Sequence, residues 1–195
     1  MIFNDDLVRA LKKPSFVCTF IHIPLVFISF IIGYFSKTLG FTWLALMIVC
    51  AELIIVITRF VFSYEQSFMG DLVRYWYAAL FLFASAYTLF EDGHVRVDVF
   101  YTNLKDKTKS FVNAAGSIFL GISTCIAILF VGFNGKQSII NSPILNFEIT
   151  QTGSVGMFVK YQLAAFLGVF AISMLVQFVS YYFSSLSKMN ELKES

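Results

Sequence analysis

Long apolar runs constrain this chain more than any other feature of its sequence. Five runs lie along the 195 residues, at 15–36, 41–62, 72–90, 111–133 and 155–184. A membrane-spanning helix needs about 20 mainly apolar residues to cross a hydrocarbon core about 30 Å thick. Backbone polar groups find no water there, so each run is expected to satisfy its own hydrogen bonds as an α-helix.

Composition gives the broad class of the protein. Charged residues make up 13% of the chain and hydrophobic residues 58%, whereas soluble domains carry roughly 25% charged residues. We therefore predict an all-α integral membrane protein, with four transmembrane helices and an additional N-terminal apolar helix.

The same pattern predicts four parts of the chain. A polar lead-in at 1–14 precedes the additional apolar helix at 15–36, which contains His22 and Pro24. The four-helix membrane domain follows at 41–184, and a polar tail at 185–195 ends the chain. His22 lies near one end of its run and is interpreted as an interfacial residue rather than a ligand.

The sequence also argues against several kinds of site. The cysteines Cys18, Cys50 and Cys125 lie far apart in apolar runs, and no Cys/His ligand spacing is present, so no metal or thiol-redox site is expected. The net charge is only +2, and no basic patch alternates with stacking aromatics, so nucleic acid is not an expected partner. We expect no cofactor and no catalytic residues.

Glu52 lies near the middle of the second run, and Arg59 lies near its end. A carboxylate at this depth is costly and normally faces protein or water. The two residues are two helical turns apart and therefore share a face. Glu52 either contacts a neighbouring helix while Arg59 reaches the interface, or it carries protons or binds a cation. We favour the first interpretation, because the sequence offers no second intramembrane acid with which to build a relay.

The polar segment 91–101, which we call the central turn, connects the third run to the fourth. Its valines alternate with Arg96 and Asp98, so apolar and charged side chains fall on opposite sides of a short extended segment. Gly93 permits the chain to reverse after the helix, and His94 can donate to a carbonyl there. From the residues alone, a solvated charged loop remains the alternative.

Basic residues predict the orientation of the chain. The connector 91–110 holds four of them, whereas the loop 134–153 holds only Lys136. By the positive-inside rule, the connector and the C-terminal tail are cytoplasmic and the loop lies on the opposite side. A span at 15–36 would place the basic residues of the lead-in on the wrong side, so a flat or re-entrant segment stays open beside a fifth span.

The central turn, with the helix end before it, carries a family resemblance. The sequence AYTLFEDGHVRVDVFY at 86–101 resembles the small membrane subunit of tripartite ATP-independent periplasmic (TRAP) transporters. In that family a helix ends in a Gly-His-(Val/Ile)-Arg-Val-Asp turn, followed by a basic amphipathic connector. Arg59 begins a segment similar to the end of the first family helix, Asp71 takes the place of an acid that opens the second, and Lys160 with Gln177 resembles the last helix.

The resemblance covers about 41–183, with two departures in its motifs. Phe60 stands where the family usually has Tyr, and Asp71 stands where it usually has Glu. The usual core is four helices, so 15–36 is an addition whose role the resemblance does not supply.

The resemblance implies a complex. The family's small subunit pairs with a large membrane subunit that holds the substrate and sodium sites, and a periplasmic substrate-binding protein delivers an organic acid. The implied role of this chain is a non-transporting scaffold in the bacterial inner membrane, with 91–110 and the C-terminus cytoplasmic and 134–153 periplasmic. An independent small transporter and a haem or electron-transfer subunit are the alternatives, although His22 and His94 are poorly placed to hold a haem together.

Nine residues are expected to serve assembly rather than catalysis. They are Glu52, Arg59, Asp71, Arg74, Gly93, His94, Arg96, Asp98 and Lys160.

Overall fold

Helices form nearly all of the regular structure in the computed structural model, which describes residues 5–36, 40–64, 66–91, 101–150 and 157–194. In chain order they are α1 (Asp5–Leu11), α2 (Pro14–Phe35), α3 (Phe41–Val61), α4 (Met69–Phe90), α5 (Asp106–Phe133), α6 (Asn141–Leu145) and α7 (Lys160–Glu194). In these ranges the one β contact is an antiparallel bridge between Thr150 and Met157. The predicted all-α class is confirmed.

Four helices are long and apolar enough to cross a membrane. They are Pro14–Phe35, Phe41–Val61, Asp106–Phe133 and, within α7, Lys160–Glu191. The N-terminal run is therefore among the four, whereas the third predicted run is not. Helix α4 has 22 residues and so is about 33 Å long, but Asp71, Arg74 and its tyrosines make it less apolar than the others.

Helix ends differ from the predicted runs where the sequence is polar. Helix α5 begins at Asp106, five residues before its apolar run, because the basic connector continues into the helix. An acid in the first turn is favoured there by the helix dipole. Helix α7 begins later than its run, at Lys160, and continues through most of the polar tail to Glu194.

Two helices contain a π-helical turn. In α2 this turn covers Cys18–His22 and ends two residues before Pro24. Proline cannot donate a backbone hydrogen bond, and its ring crowds the carbonyl one turn earlier, so an irregular turn at this point accommodates it. In α5 the π turn covers Ser117–Ile122 and includes Gly121.

The chain forms two compact units. Unit 1 comprises Met1–Phe81 with Ile140–Ala165, and unit 2 comprises Leu82–Ile139 with Phe166–Ser195. Small side chains are prominent in the buried part of unit 2, which includes Ser110, Ala114, Ser117, Cys125, Ala171 and Ser185. Most large apolar side chains of the described chain are exposed, and Ile23–Phe35 has no buried residue. This distribution suits a protein surrounded by lipid, in which small residues let helices approach closely.

Helices α5 and α7 approach each other closely at Gly121 in unit 2. A Cβ atom placed on it would lie 2.5 Å from Cδ1 of Phe178 on α7. Gly116 is five residues earlier on α5, and a Cβ there would meet nothing within 4 Å. Gly116 and Gly121 of α5 therefore have different roles, and of these two it is Gly121 that packing requires.

Substituting these glycines tests that difference. We expect Gly121→Ala to destabilise the protein by about 1–3 kcal/mol, because the added methyl must displace the Phe178 ring. Gly116→Ala is the matched control and should leave stability unchanged or raise it slightly, since alanine favours the helix by about 0.5–1 kcal/mol. Recovery of monodisperse protein after heating in detergent measures both. Equal melting of the two variants would contradict this account of Gly121.

Candidate functional site

Asp71 and Arg74 form an ion pair at the start of α4. Asp71 lies in the first turn of the helix and is only 2% exposed. Its Oδ1 atom lies 3.8 Å from Nη1 of Arg74, whose side chain is 56% exposed. The spacing of three residues brings the two onto neighbouring positions of one helix face. The guanidinium thus partly neutralises a buried carboxylate while remaining accessible at the surface of the chain.

Lys160 is the first residue of α7, and its Nζ atom pairs with Oε2 of Glu148. The other carboxylate oxygen of Glu148 accepts a hydrogen bond of 2.7 Å from the Ser142 hydroxyl. These contacts tie the segment around α6 to the start of α7. The hydrogen bond from Lys160, followed by that from Ser142, holds the pKa of Glu148 below its usual value.

Sequence reasoning found Lys160 but missed its partner. Glu148 is the one acidic residue in the loop 134–153, and that isolation was an available signal. The loop also closes on itself, because Thr150 and Met157 exchange backbone hydrogen bonds of 2.9 and 2.8 Å.

A second polar contact lies one residue further along α7. Nδ1 of His22 hydrogen-bonds the hydroxyl of Tyr161, which is 5% exposed. The Phe147 ring meets the Tyr161 ring edge-on, with centroids 6.2 Å apart. His22 and Tyr161 are 139 residues apart in sequence, so no local pattern predicted their contact. It fastens the additional N-terminal helix to α7 within unit 1.

Glu52 and Arg59 both lie on the exposed surface of α3, where Ala51 is the one buried residue. The two are about 10.5 Å apart along the helix axis. Within the described part of the chain, no hydrogen bond or ion pair joins Glu52 to another side chain. Val49 and Val56, one turn to either side of it, are 64% and 48% exposed. The carboxylate therefore stands in an open apolar face.

The predicted assembly residues fall into separate groups. Glu52, Arg59, Asp71, Arg74 and Lys160 all belong to unit 1, but the structure joins only Asp71 with Arg74. The remaining four, in the central turn, lie outside the described residues; they are Gly93, His94, Arg96 and Asp98.

The described residues contain no group of three or more His, Cys, Asp or Glu side chains able to hold a metal ion. Their three cysteines are free thiols. The polar contacts described in unit 1 are pairs that hold helices and a loop together.

Comparison with protein families finds a match over most of the chain. Residues 45–184 match the DctQ component of tripartite ATP-independent periplasmic transporters. The match covers well over half of the chain and includes all nine predicted assembly residues, whereas α2 lies outside it. Comparison with curated proteins finds no match.

The pair of Lys160 with Glu148 predicts a pH-dependent loop. The pKa of Glu148 is lowered in the folded chain, so the pair stabilises the loop above the unfolded pKa of about 4.3. That stabilisation is lost as the pH falls through the lower, folded value. Amide-exchange protection of Asn141–Thr150, corrected for intrinsic rates, should fall over this interval.

Substituting Lys160 should have the same effect at neutral pH. We expect Lys160→Met to lower protection of this segment at pH 7 and to weaken its dependence on acid, since the hydrogen bond from Ser142 to Glu148 remains. Lys136→Met removes an exposed cation from the same loop and is the matched control. Unchanged protection in Lys160→Met would show that the ion pair does not hold the loop.

Proposed function

Because the chain belongs to the DctQ family of tripartite ATP-independent periplasmic transporters, we propose that it is the non-transporting scaffold of such a transporter. In this role it binds a large membrane subunit and helps to dock a periplasmic substrate-binding protein. The family membership and the apolar helices make the chain a multi-pass membrane component of the transporter. The scaffold role and the two contacts are our proposal.

The exposed position of Glu52 is the observation that carries the proposal. Glu52 is the twelfth residue of the 21-residue helix α3, which places it near the centre of the span. A carboxylate facing lipid at that depth costs about 2.5–3.5 kcal/mol even on permissive insertion scales. A polar or basic group of a neighbouring membrane protein removes this cost, so we infer that α3 presents this face to the large subunit.

The position of acidic residues also supports a scaffold. In the described parts of α2, α3, α4, α5 and the span of α7, Glu52 is the one acid away from a helix end. A self-contained secondary transporter needs several groups at the midplane and usually broken helices around them. The substrate, an organic acid, and its coupling to sodium in symport are therefore assigned to the partner subunit.

The segment between α5 and α7 is our proposed contact for the periplasmic protein. It is held by the pair of Glu148 with Lys160 and by the bridge of Thr150 with Met157. Apolar side chains are exposed on its part in unit 1, including Leu145 at 60% and Ile149 at 39%. A surface that combines a fixed backbone with exposed apolar groups favours protein contact.

The charge distribution supports one orientation in the inner membrane. The basic connector 91–110 and the C-terminus are proposed to be cytoplasmic, and the loop 134–153 periplasmic. The central-turn residues Gly93, His94, Arg96 and Asp98 are then proposed to act in assembly on the cytoplasmic side.

Affinity purification from native membranes tests the scaffold role. We expect the tagged chain, extracted in mild detergent, to carry a larger membrane protein in equal amount. Glu52→Leu should weaken this association, because the polar or basic group of the large subunit would then be buried without the carboxylate that compensates it. Ser29→Ala is the matched control, since Ser29 is an exposed polar residue within α2 whose hydroxyl already bonds Leu25 O at 2.8 Å.

Two results would contradict the proposal. One is recovery of the chain alone or only with further copies of itself. The other is transport by the purified chain in liposomes that Glu52→Gln abolishes, which would support an independent transporter instead.

A further inference from the structure

A polar cavity of about 530 Å³ lies in unit 2, where α5 begins and α7 ends. Its lining includes two lysines, two acids, a tyrosine and an asparagine, which are Lys109, Lys188, Asp106, Glu191, Tyr101 and Asn113. The formal charges of the lining sum to zero, with both signs present twice. Such a lining favours a ligand that carries both a positive and a negative group.

The side chains around Lys109 in the polar cavity already contact one another. Its Nζ atom lies 3.6 Å from Oδ1 of Asp106 and 5.8 Å from the centre of the Tyr101 ring. The Asn113 amide donates a hydrogen bond of 2.8 Å to the Tyr101 hydroxyl. A zwitterionic ligand can add partners to both the lysine and the carboxylate without leaving either charge uncompensated.

An apolar cavity of about 560 Å³ adjoins the polar one, because Asn113 lines both. It follows α5 from Val112 to Ile128 and is closed on the α7 side by residues that include Phe178. Sixteen residues of helix rise about 24 Å, which exceeds the roughly 15 Å half-thickness of a hydrocarbon core. The cavity is thus long enough for an acyl chain of one leaflet.

The ends of the candidate spans put the polar cavity at the membrane surface and the apolar cavity deeper in the bilayer. Asp106 is the first residue of one candidate span, and Glu191 is the last residue of another. The residues from Val112 onward fall inside the first of these spans. The lining is therefore charged at the surface and apolar further in. A phospholipid in one leaflet has the same order, with its charged headgroup at the surface and its acyl chains below.

We propose that the two cavities together bind one phospholipid with a zwitterionic, amine-bearing headgroup of the phosphatidylethanolamine type. The phosphate pairs with Lys109 and Lys188, and the ammonium pairs with Asp106 and Glu191. One acyl chain lies along α5 in the apolar cavity. A purely anionic lipid is disfavoured, because the two carboxylates would repel it. This site uses only residues of unit 2 and does not depend on the scaffold role.

Lipid competition on the full chain tests the site. The chain is reconstituted into nanodiscs with equal amounts of phosphatidylethanolamine and phosphatidylglycerol, extracted gently, and its retained lipid is quantified by mass spectrometry. We expect about one phosphatidylethanolamine per chain, enriched about tenfold over phosphatidylglycerol, the factor that a single charged hydrogen bond would provide. Retained lipid with the composition of the nanodisc would overturn the proposal without any variant.

Two double variants, each of which removes two positive charges, test where the headgroup binds. Lys109→Ala with Lys188→Ala should reduce retention about tenfold. Lys105→Ala with Lys107→Ala is the control, because it removes the same charge from exposed positions next to the cavity but outside its lining. Equal retention by the two double variants would overturn the assignment, and elution of both as monodisperse protein ensures that folding is not the cause.

A third variant tests where the acyl chain binds. Gly116 lines the apolar cavity, and a Cβ atom placed there would meet nothing within 4 Å. Gly116→Leu should therefore fill the cavity and reduce retention, whereas Gly116→Ala should not. Undiminished retention in Gly116→Leu would exclude this cavity as the site of the chain. Absence of the lipid from chain purified with its large subunit would show that the partner covers the cavity instead and would also overturn the proposal.

Discussion

The cost of placing charge in hydrocarbon governs where polar groups can stand in this chain. Nearly every charged group of the described spans lies at a helix end, where water or a partner is within reach. Asp71 opens α4 with Arg74 beside it, and Lys160 opens α7 against Glu148. Glu52 is the exception, since it stands at mid-helix on an open apolar face. In our proposal this exception marks the surface that the large subunit covers.

The surrounding lipid also determines how the helices pack against one another. Lipid is as apolar as leucine, so burying large side chains against one another gains little over leaving them in the bilayer. Close contact and dispersion then decide which helices meet. In unit 2 this is visible where Gly121 admits the ring of Phe178 and where Ala114, Ser117 and Ala171 are buried. Large side chains remain outside, where lipid or a partner subunit can cover them.

Sequence predicted the helices well, because the length and hydropathy of a run are properties of the chain itself. It predicted their ends less well, since α5 starts at Asp106 and α7 continues to Glu194. In these polar stretches hydropathy gives no signal, and capping and tertiary contact decide the boundary. The family resemblance identified Asp71 and Lys160, but it could not supply the partner of Lys160. Glu148 and the contact of His22 with Tyr161 depend on distant segments meeting in space.

Within unit 1, the start of α7 contacts both the added N-terminal helix and the loop that precedes α7. Lys160 holds the loop through Glu148, and Tyr161 holds α2 through His22. Phe147 in the loop also contacts the Tyr161 ring. The added N-terminal helix, which lies outside the family match, is therefore fastened at the same point as the proposed docking loop. A movement of α2 would therefore act on that loop through two adjacent residues of α7, Lys160 and Tyr161.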